Sequence, residues 1–179
     1  MDNGASSYRR FLEGDENGLS EIVAMYGDHL LFFINGYVKN ITLAEDIMED
    51  TFMELIVHKH HFREESSLKT YLFKIGRNKA LNAIKKNKVL LSLETDLEDT
   101  MKLEEMIIKN DKNKQIRDAI KQINETYGQV LHLLYFEGMS YEQIGKVLKK
   151  NNKQIKNLAY RARNSLKEVL EKEGFSYEE

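Results

Sequence analysis

The side chains best suited to bind another molecule lie in residues 146–167, which hold eight basic residues and no acidic one. Apolar residues recur there at helical spacing, from Ile155 to Val169, so the polar side chains share the opposite face of one helix. Lys and Arg contact DNA phosphates or guanine, and Asn and Gln read adenine edges. We therefore predict a duplex-DNA surface formed by Lys153, Gln154, Lys156, Asn157, Tyr160, Arg161, Arg163 and Lys167.

The elements before this helix are those that would aim it into a DNA groove. Ser140 and Gln143 have the spacing of a capping box, which predicts the start of a short helix. Asn151 is a good N-cap for the longer basic helix, and only residues 149–152 separate the two. A short helix, a tight turn and a longer helix predict a helix-turn-helix, whose second helix enters the major groove. An ordinary helical hairpin with a solvated basic face is the alternative.

A second basic tract, residues 66–93, contains seven bases and no acid but differs in chemistry. On a helix, Tyr71, Lys74 and Asn78 fall on one stripe. Aromatic rings stack on exposed bases, cations follow phosphates and amides bond base edges, which together suit single-stranded nucleic acid. The alternative is that Tyr71 belongs to the core.

The composition restricts the class of protein. Of the 179 residues, 41% are hydrophobic and none is proline or cysteine, which predicts an all-α protein without disulfides. No apolar run is long enough for a membrane span, and the N-terminal residues do not resemble a signal peptide, so we expect a cytoplasmic location. No phosphate loop or nucleophile elbow is present, so we expect no catalytic residue, no enzymatic activity and no cofactor.

The clustered His58, His60 and His61 lack further ligands, so we expect no metal and assign them to a helix C-terminus.

Four segments resemble the bacterial extracytoplasmic-function (ECF) sigma factors of the sigma-70 family. Residues 44–52 and 68–78 are similar to two helices of that family's region two, and residues 135–145 and 155–163 are similar to its region four. The resemblance implies two small helical domains joined by an acidic linker. The implied divisions are a lead-in at residues 1–18, region two at 19–88, the linker at 89–111 and region four at 112–174.

The resemblance also implies a transcription initiation factor that binds core RNA polymerase and promoter DNA, reading the minus-35 element as duplex and the minus-10 element as a melted strand. A helix with five acids and no base over residues 42–54 would dock on polymerase; the docking residues are Asp46, Glu49, Asp50 and Met53. A loop from Phe62 to Ser67, with the following helix, would capture a flipped base of the melted strand. The implied single-strand set is Phe62, Ser66, Ser67, Tyr71, Lys74, Arg77 and Asn78.

We further expect an anti-sigma factor as a partner, with no membrane insertion and no small-molecule substrate. The sequence departs from the family pattern at the turn, where Lys149 and Lys150 replace a Gly and an apolar residue, and at Gln154, Leu158 and Asn124, where Thr, Arg and Pro are common. The alternatives are a helix-turn-helix regulator that acts without binding core polymerase, and a helical adaptor that does not bind DNA.

Overall fold

The computed structural model describes residues 4–87 and 111–174, which form two compact units that are described separately. All regular structure within these residues is helical, so the predicted all-α, two-domain fold is confirmed. The acidic linker predicted over residues 89–111 lies, except for its last residue, outside the described residues.

The described residues of the first unit form four helices: α1 (Ala5–Leu12), α2 (Glu16–Val38), α3 (Ile41–Val57) and α4 (Leu68–Asn87). Asp15 caps α2 by accepting a hydrogen bond from the Asn17 backbone amide, and Asn40 caps α3 in the same way through Leu43. These side chains satisfy amide groups that have no partner within the helix.

The core of this unit is the apolar stripe of each long helix. Ile22, Leu30 and Ile34 of α2 are fully buried, as are Leu55 of α3 and Leu72 of α4, and the three helices pack against one another. Removal of such side chains from water is the main favourable contribution to helix packing.

Val23 lies outside the buried stripe of α2. Its side chain remains 39% exposed. A helix has 3.6 residues per turn, so the core covers only one stripe, and a residue next to Ile22 lies at the edge of it.

The lead-in, residues 1–18, contains α1, which the sequence pattern does not predict. Tyr8 of α1 is 1% exposed, so this short helix is an integral part of the first unit. The helix lies so close to α2 that a Cβ at Gly18 would collide with the Ser7 carbonyl oxygen. Eight residues with a single large buried side chain leave too little periodicity to indicate a helix.

The second unit contains α5 (Asp111–Gln122), α6 (Glu125–Leu131), a π-helical turn (His132–Phe136), α7 (Tyr141–Leu148) and α8 (Asn152–Lys172). The π-helical turn continues directly from α6 and ends at Glu137, whose carboxylate is buried 3.2 Å from the imidazole of His132. This turn is absent from the sequence prediction.

The predicted helix-turn-helix consists of α7 and α8. Both capping boxes are formed: Ser140 exchanges hydrogen bonds with Gln143, and Asn151 exchanges them with Gln154. The two helices are held together by buried side chains that the periodicity predicts, among them Ile144, Val147, Leu148, Ile155, Ala159 and Ala162. The exposed face of α8 is thereby fixed relative to α7.

No helix in the two described ranges has the length and apolar character needed to cross a lipid bilayer.

The turn between α7 and α8 contains a strained residue. Lys149, which ends α7, has a φ of 55° in the left-handed region, where a residue with a Cβ is disfavoured and glycine is preferred.

We expect Lys149→Gly to raise the free energy of local unfolding by roughly 0.5–1 kcal/mol, because glycine adopts this backbone conformation without strain. The change is measured as slower native-state hydrogen exchange of α7 and α8 amides. Lys150→Gly, which removes the same charge where φ is not positive, is the control; equal effects of both changes would contradict the explanation.

Candidate nucleic-acid interface

The outer face of α8 presents the predicted duplex-reading residues together. All eight are exposed, and the centre of the face is formed by Lys153, Lys156, Asn157 and Tyr160, the last with 67% of its surface accessible. Gln154 and Arg161 lie towards one edge of this face, as the helical spacing requires. Ile155, Ala159 and Ala162 are buried on the other side of the helix.

Gln154 has a structural role that restricts its chemistry. Its side-chain oxygen accepts a hydrogen bond from the Asn151 amide at 2.9 Å as part of the capping box. The amide hydrogens therefore remain the groups with which Gln154 can bind a ligand.

Arg163 is held by two tyrosines from outside α8. Its Nε donates a hydrogen bond to the Tyr135 hydroxyl at 2.7 Å, and its terminal nitrogen donates another to the Tyr141 hydroxyl at 3.2 Å. The Tyr135 hydroxyl, and after it that of Tyr141, raises the pKa of Arg163, which stays charged. The three side chains form an exposed, oriented cation beside the face of α8.

Neither tyrosine was among the predicted site residues. Tyr135 is 57% exposed at the π-helical turn, and Tyr141 is the first residue of α7. The sequence signal is weak, because only the fold brings them within reach of Arg163. Lys167, by contrast, pairs with Glu171 on its own helix, at 3.7 Å and in solvent.

In the first unit, the predicted stripe of Tyr71, Lys74 and Asn78 lies on the outer side of α4. Lys74 is exposed, whereas Tyr71 and Asn78 are half-buried. Arg77 is turned away from this stripe, since its Nε donates a hydrogen bond to the Tyr37 hydroxyl of α2 at 3.2 Å. Of the four predicted single-strand residues on α4, the structure thus groups Tyr71, Lys74 and Asn78 and separates Arg77 from them.

Phe62, which the family resemblance assigns to the single-strand set, does not expose its ring. Its side chain is only 9% exposed, with its ring centre 5.2 Å from that of Tyr8 and 5.1 Å from that of Tyr71. The physical reason is α1, because Tyr8 of that helix packs edge-on against the Phe62 ring. In this structure Phe62 is therefore part of the core of the first unit.

The two serines of the loop are half-buried near the start of α4. The Ser67 hydroxyl accepts a hydrogen bond from the Thr70 amide at 3.1 Å and so caps the helix. The Ser66 hydroxyl lies 3.4 Å from the Ser67 carbonyl oxygen. Both serines therefore lie where the loop joins α4, and the Ser67 hydroxyl already caps the helix.

The predicted acidic residues share one face of α3. Asp46, Glu49, Asp50 and Met53 are all exposed, and α3 carries no base. Val57, 64% exposed, extends the same stripe by one turn and was not predicted. Its position four residues after Met53 is the signal that identifies it.

The three histidines follow α3 as predicted. His58 ends the helix and stacks on His61, with ring centres 4.7 Å apart. Within residues 4–87 and 111–174, no group of three or more histidine or carboxylate side chains is arranged to hold a metal ion.

Two family models match the chain on these two units. The model for Sigma-70 region 2 covers residues 22–89, and the model for Sigma-70, region 4 covers residues 113–166. The chain is also 24% identical to the ECF RNA polymerase sigma factor SigM of Bacillus subtilis, over 83% of this chain and 93% of that protein.

Solved structures show the same fold. CnrH, in complex with the cytosolic domain of CnrY, aligns with a TM-score of 0.69 and 19% identity over 95% of this chain and 98% of its own. RpoE, in complex with the anti-sigma factor NepR from Bartonella quintana, aligns with a TM-score of 0.63 and 21% identity over 85% and 96%.

The contacts of Arg163 generate a prediction about duplex binding. Arg163→Gln is expected to weaken binding to duplex DNA and to reduce the slope of log K against log salt by about one, as loss of one phosphate contact does. The double change of Tyr135 and Tyr141 to Phe keeps the charge but releases the guanidinium, so affinity should fall about three- to tenfold with the slope retained. Both quantities come from binding titrations over a range of salt.

Tyr127→Phe, at a half-buried tyrosine of α6, is the matched control. Wild-type affinity in the double tyrosine variant would contradict a positioning role for Tyr135 and Tyr141.

Proposed function

We propose how this chain, which belongs to the ECF group of the sigma-70 family, reads a promoter. Members of the family are non-enzymatic transcription initiation factors that act with RNA polymerase, and this chain is one of them. The proposal is that it reads the minus-35 element as duplex through α8 and the minus-10 element as a melted strand through α4, while α3 docks on core polymerase.

The observation that carries this proposal is the separation of charge between helix faces. Over Ile41–Val57 the polar face of α3 is purely acidic, whereas over Leu68–Asn87 helix α4 has bases and no acid. An acidic face repels DNA and complements a basic protein surface, while a basic face with an aromatic ring and amides attracts single strands. One small unit therefore offers two surfaces for two different partners.

Duplex reading is supported by the exposure and chemistry of α8. Asn157 and Lys156 lie in its first two turns, where a recognition helix reaches base edges. Arg163 and Lys167 lie further along and suit phosphates, which fix the register of the helix.

Strand reading is supported by α4 and the loop before it. Lys74 is placed to follow a phosphate, and Asn78, one turn further on, offers both a donor and an acceptor to an unpaired base. Flipping a base out of its stack costs a few kcal/mol, which such contacts must offset.

Two further elements of the proposal concern partners and boundaries. RpoE of Bartonella quintana was solved with an anti-sigma factor, and we propose that this chain is restrained by a protein of that kind. Its work with polymerase and promoter DNA would take place in the cytoplasm. We also propose that residues 19–88 and 112–174 act as regions two and four, and that α1, which precedes residue 19, supports region two.

The acidic face generates a prediction about polymerase. Reversal of Asp46, Glu49 and Asp50 to Lys is expected to weaken binding to core RNA polymerase about tenfold or more, because three charges would then repel a basic docking surface. Binding is measured by pull-down and titration with purified core enzyme, and far-UV circular dichroism should show that the variant remains helical.

The matched control reverses three exposed acids outside this face, Glu13, Asp28 and Glu168, for the same change in net charge. If both triple variants bind core polymerase as wild type does, α3 is not the docking surface.

The stripe of α4 generates a prediction about melting. Asn78→Ala should leave binding to core polymerase and to the closed promoter unchanged, but should reduce open complexes about tenfold, because a base-edge contact is lost. The readout is permanganate reactivity of downstream thymines. A template with a pre-opened bubble should restore part of the activity, since the cost of opening is already met.

Asn17→Ala, at an exposed asparagine of α2 in the same unit, is the control. Normal melting by the Asn78 variant would place the strand-reading site elsewhere.

A further inference from the structure

The loop over residues 58–67, which joins α3 to α4, is tied to α1 by a buried side chain. Tyr8 of α1 is 1% exposed, and its hydroxyl donates a hydrogen bond to the backbone carbonyl of Lys59 in the loop. Burial, together with the neighbouring Tyr71 and Glu64, raises the pKa of Tyr8, so the hydroxyl stays protonated and remains a donor. The loop backbone is thus fixed near its beginning.

The ring of Tyr8 fixes the middle of the same loop. It packs edge-on against Phe62 with ring centres 5.2 Å apart, and Phe62 in turn contacts Tyr71 of α4 at 5.1 Å. Three aromatic rings therefore form a continuous row from α1 through the loop to the stripe of α4. A displacement of Tyr8 would be transmitted to Tyr71 through Phe62.

A third contact, an ion pair, joins α1 to a loop residue with a left-handed backbone conformation. Glu64 has a φ of 56°, in the left-handed region that a residue with a Cβ rarely adopts, and its carboxylate pairs with Arg9 of α1 at 3.1 Å. The hydrogen bonds from Arg9 lower the pKa of the Glu64 carboxyl, so the pair is ionised at neutral pH. The ion pair holds a backbone conformation that Glu does not favour by itself.

The anchor of α1 on α2 is separate from its contacts with the loop. Arg10 pairs with Glu21 of α2 and, at 3.2 Å, with Asp15, and Ser7 donates a hydrogen bond to Glu21 at 2.6 Å. Consecutive residues of α1 therefore face two ways: Arg10 towards α2, and Arg9 towards the loop. This arrangement allows the loop contacts to be removed one at a time.

We infer that α1 is a brace for strand reading: Tyr8 and Arg9 are positioning residues that hold the 58–67 loop in the conformation that receives the melted strand. A loop held in place before binding does not have to be ordered when the strand arrives, so its affinity for the strand is higher. This inference rests on the proposed role of the loop and α4 in reading the minus-10 element.

The test compares four single variants in holoenzymes assembled with core polymerase. Tyr8→Phe removes only the hydroxyl, Arg9→Gln and Glu64→Gln each break the loop ion pair, and Arg10→Gln removes an equal charge from α1 without touching the loop. The probe is a labelled non-template oligonucleotide carrying the downstream element of a promoter that the wild-type holoenzyme transcribes. Hydrogen exchange of the loop peptide and binding to core polymerase are measured alongside.

We expect Tyr8→Phe to weaken oligonucleotide binding by about two- to tenfold, and Arg9→Gln and Glu64→Gln to weaken it by about two- to fivefold. In all three variants, hydrogen exchange of the loop should be faster and binding to core polymerase unchanged. Glu64→Gln is decisive, because removal of a negative charge near DNA would by itself strengthen binding. Arg10→Gln should bind as wild type does.

Two results would overturn the brace while leaving the proposed function intact: oligonucleotide binding by Glu64→Gln at or above the wild-type level, or an equal loss in Arg9→Gln and Arg10→Gln. Failure of the wild-type holoenzyme to bind the oligonucleotide would instead overturn the proposed function, and the brace with it.

Discussion

Burial of one apolar stripe per helix is the constraint on which the rest of this structure depends. Because Ile22, Leu55 and Leu72 take one side of α2, α3 and α4 out of water, the opposite sides of α3 and α4 must lie outside. Charges on those outer sides remain solvated, so each face can hold a single sign at little cost. The same division on α8 leaves a basic face over a buried row that includes Ile155 and Ala159. The packing of the core thus determines which charged faces of α3, α4 and α8 remain exposed for binding.

The second level of organisation is the orientation of side chains and loops on those faces. Arg163 is aimed by tyrosines from the π-helical turn and from α7, and the 58–67 loop is held by Tyr8 and Arg9 of α1. In both places a group that would contact DNA is fixed by residues that lie far from it in sequence. Such preorganisation lowers the entropy lost on binding, which is the cost that flexible surface side chains ordinarily incur.

Local patterns in the sequence are sufficient for α7 and α8, for their caps at Ser140 and Asn151, and for the charged faces of α3, α4 and α8, since spacing and capping chemistry act within a few residues. They could not predict the burial of Phe62, because its neighbour Tyr8 belongs to a helix with almost no periodicity. The contacts of Arg163 with Tyr135 and Tyr141, and the turn of Arg77 towards Tyr37, likewise depend on tertiary packing. The part of the candidate site that the sequence does not predict is therefore the positioning of its side chains by tertiary packing.

We propose that this chain directs polymerase by reading duplex and melted DNA with separate units. The most direct measurement is selection of transcribed promoters from a randomised DNA library by core polymerase reconstituted with this chain. We expect transcripts that depend on the chain, with two enriched sequence blocks at a fixed spacing. Asn157→Ala should alter only the upstream block. Transcripts without the chain, a single enriched block, or a change in the downstream block with Asn157→Ala would contradict it.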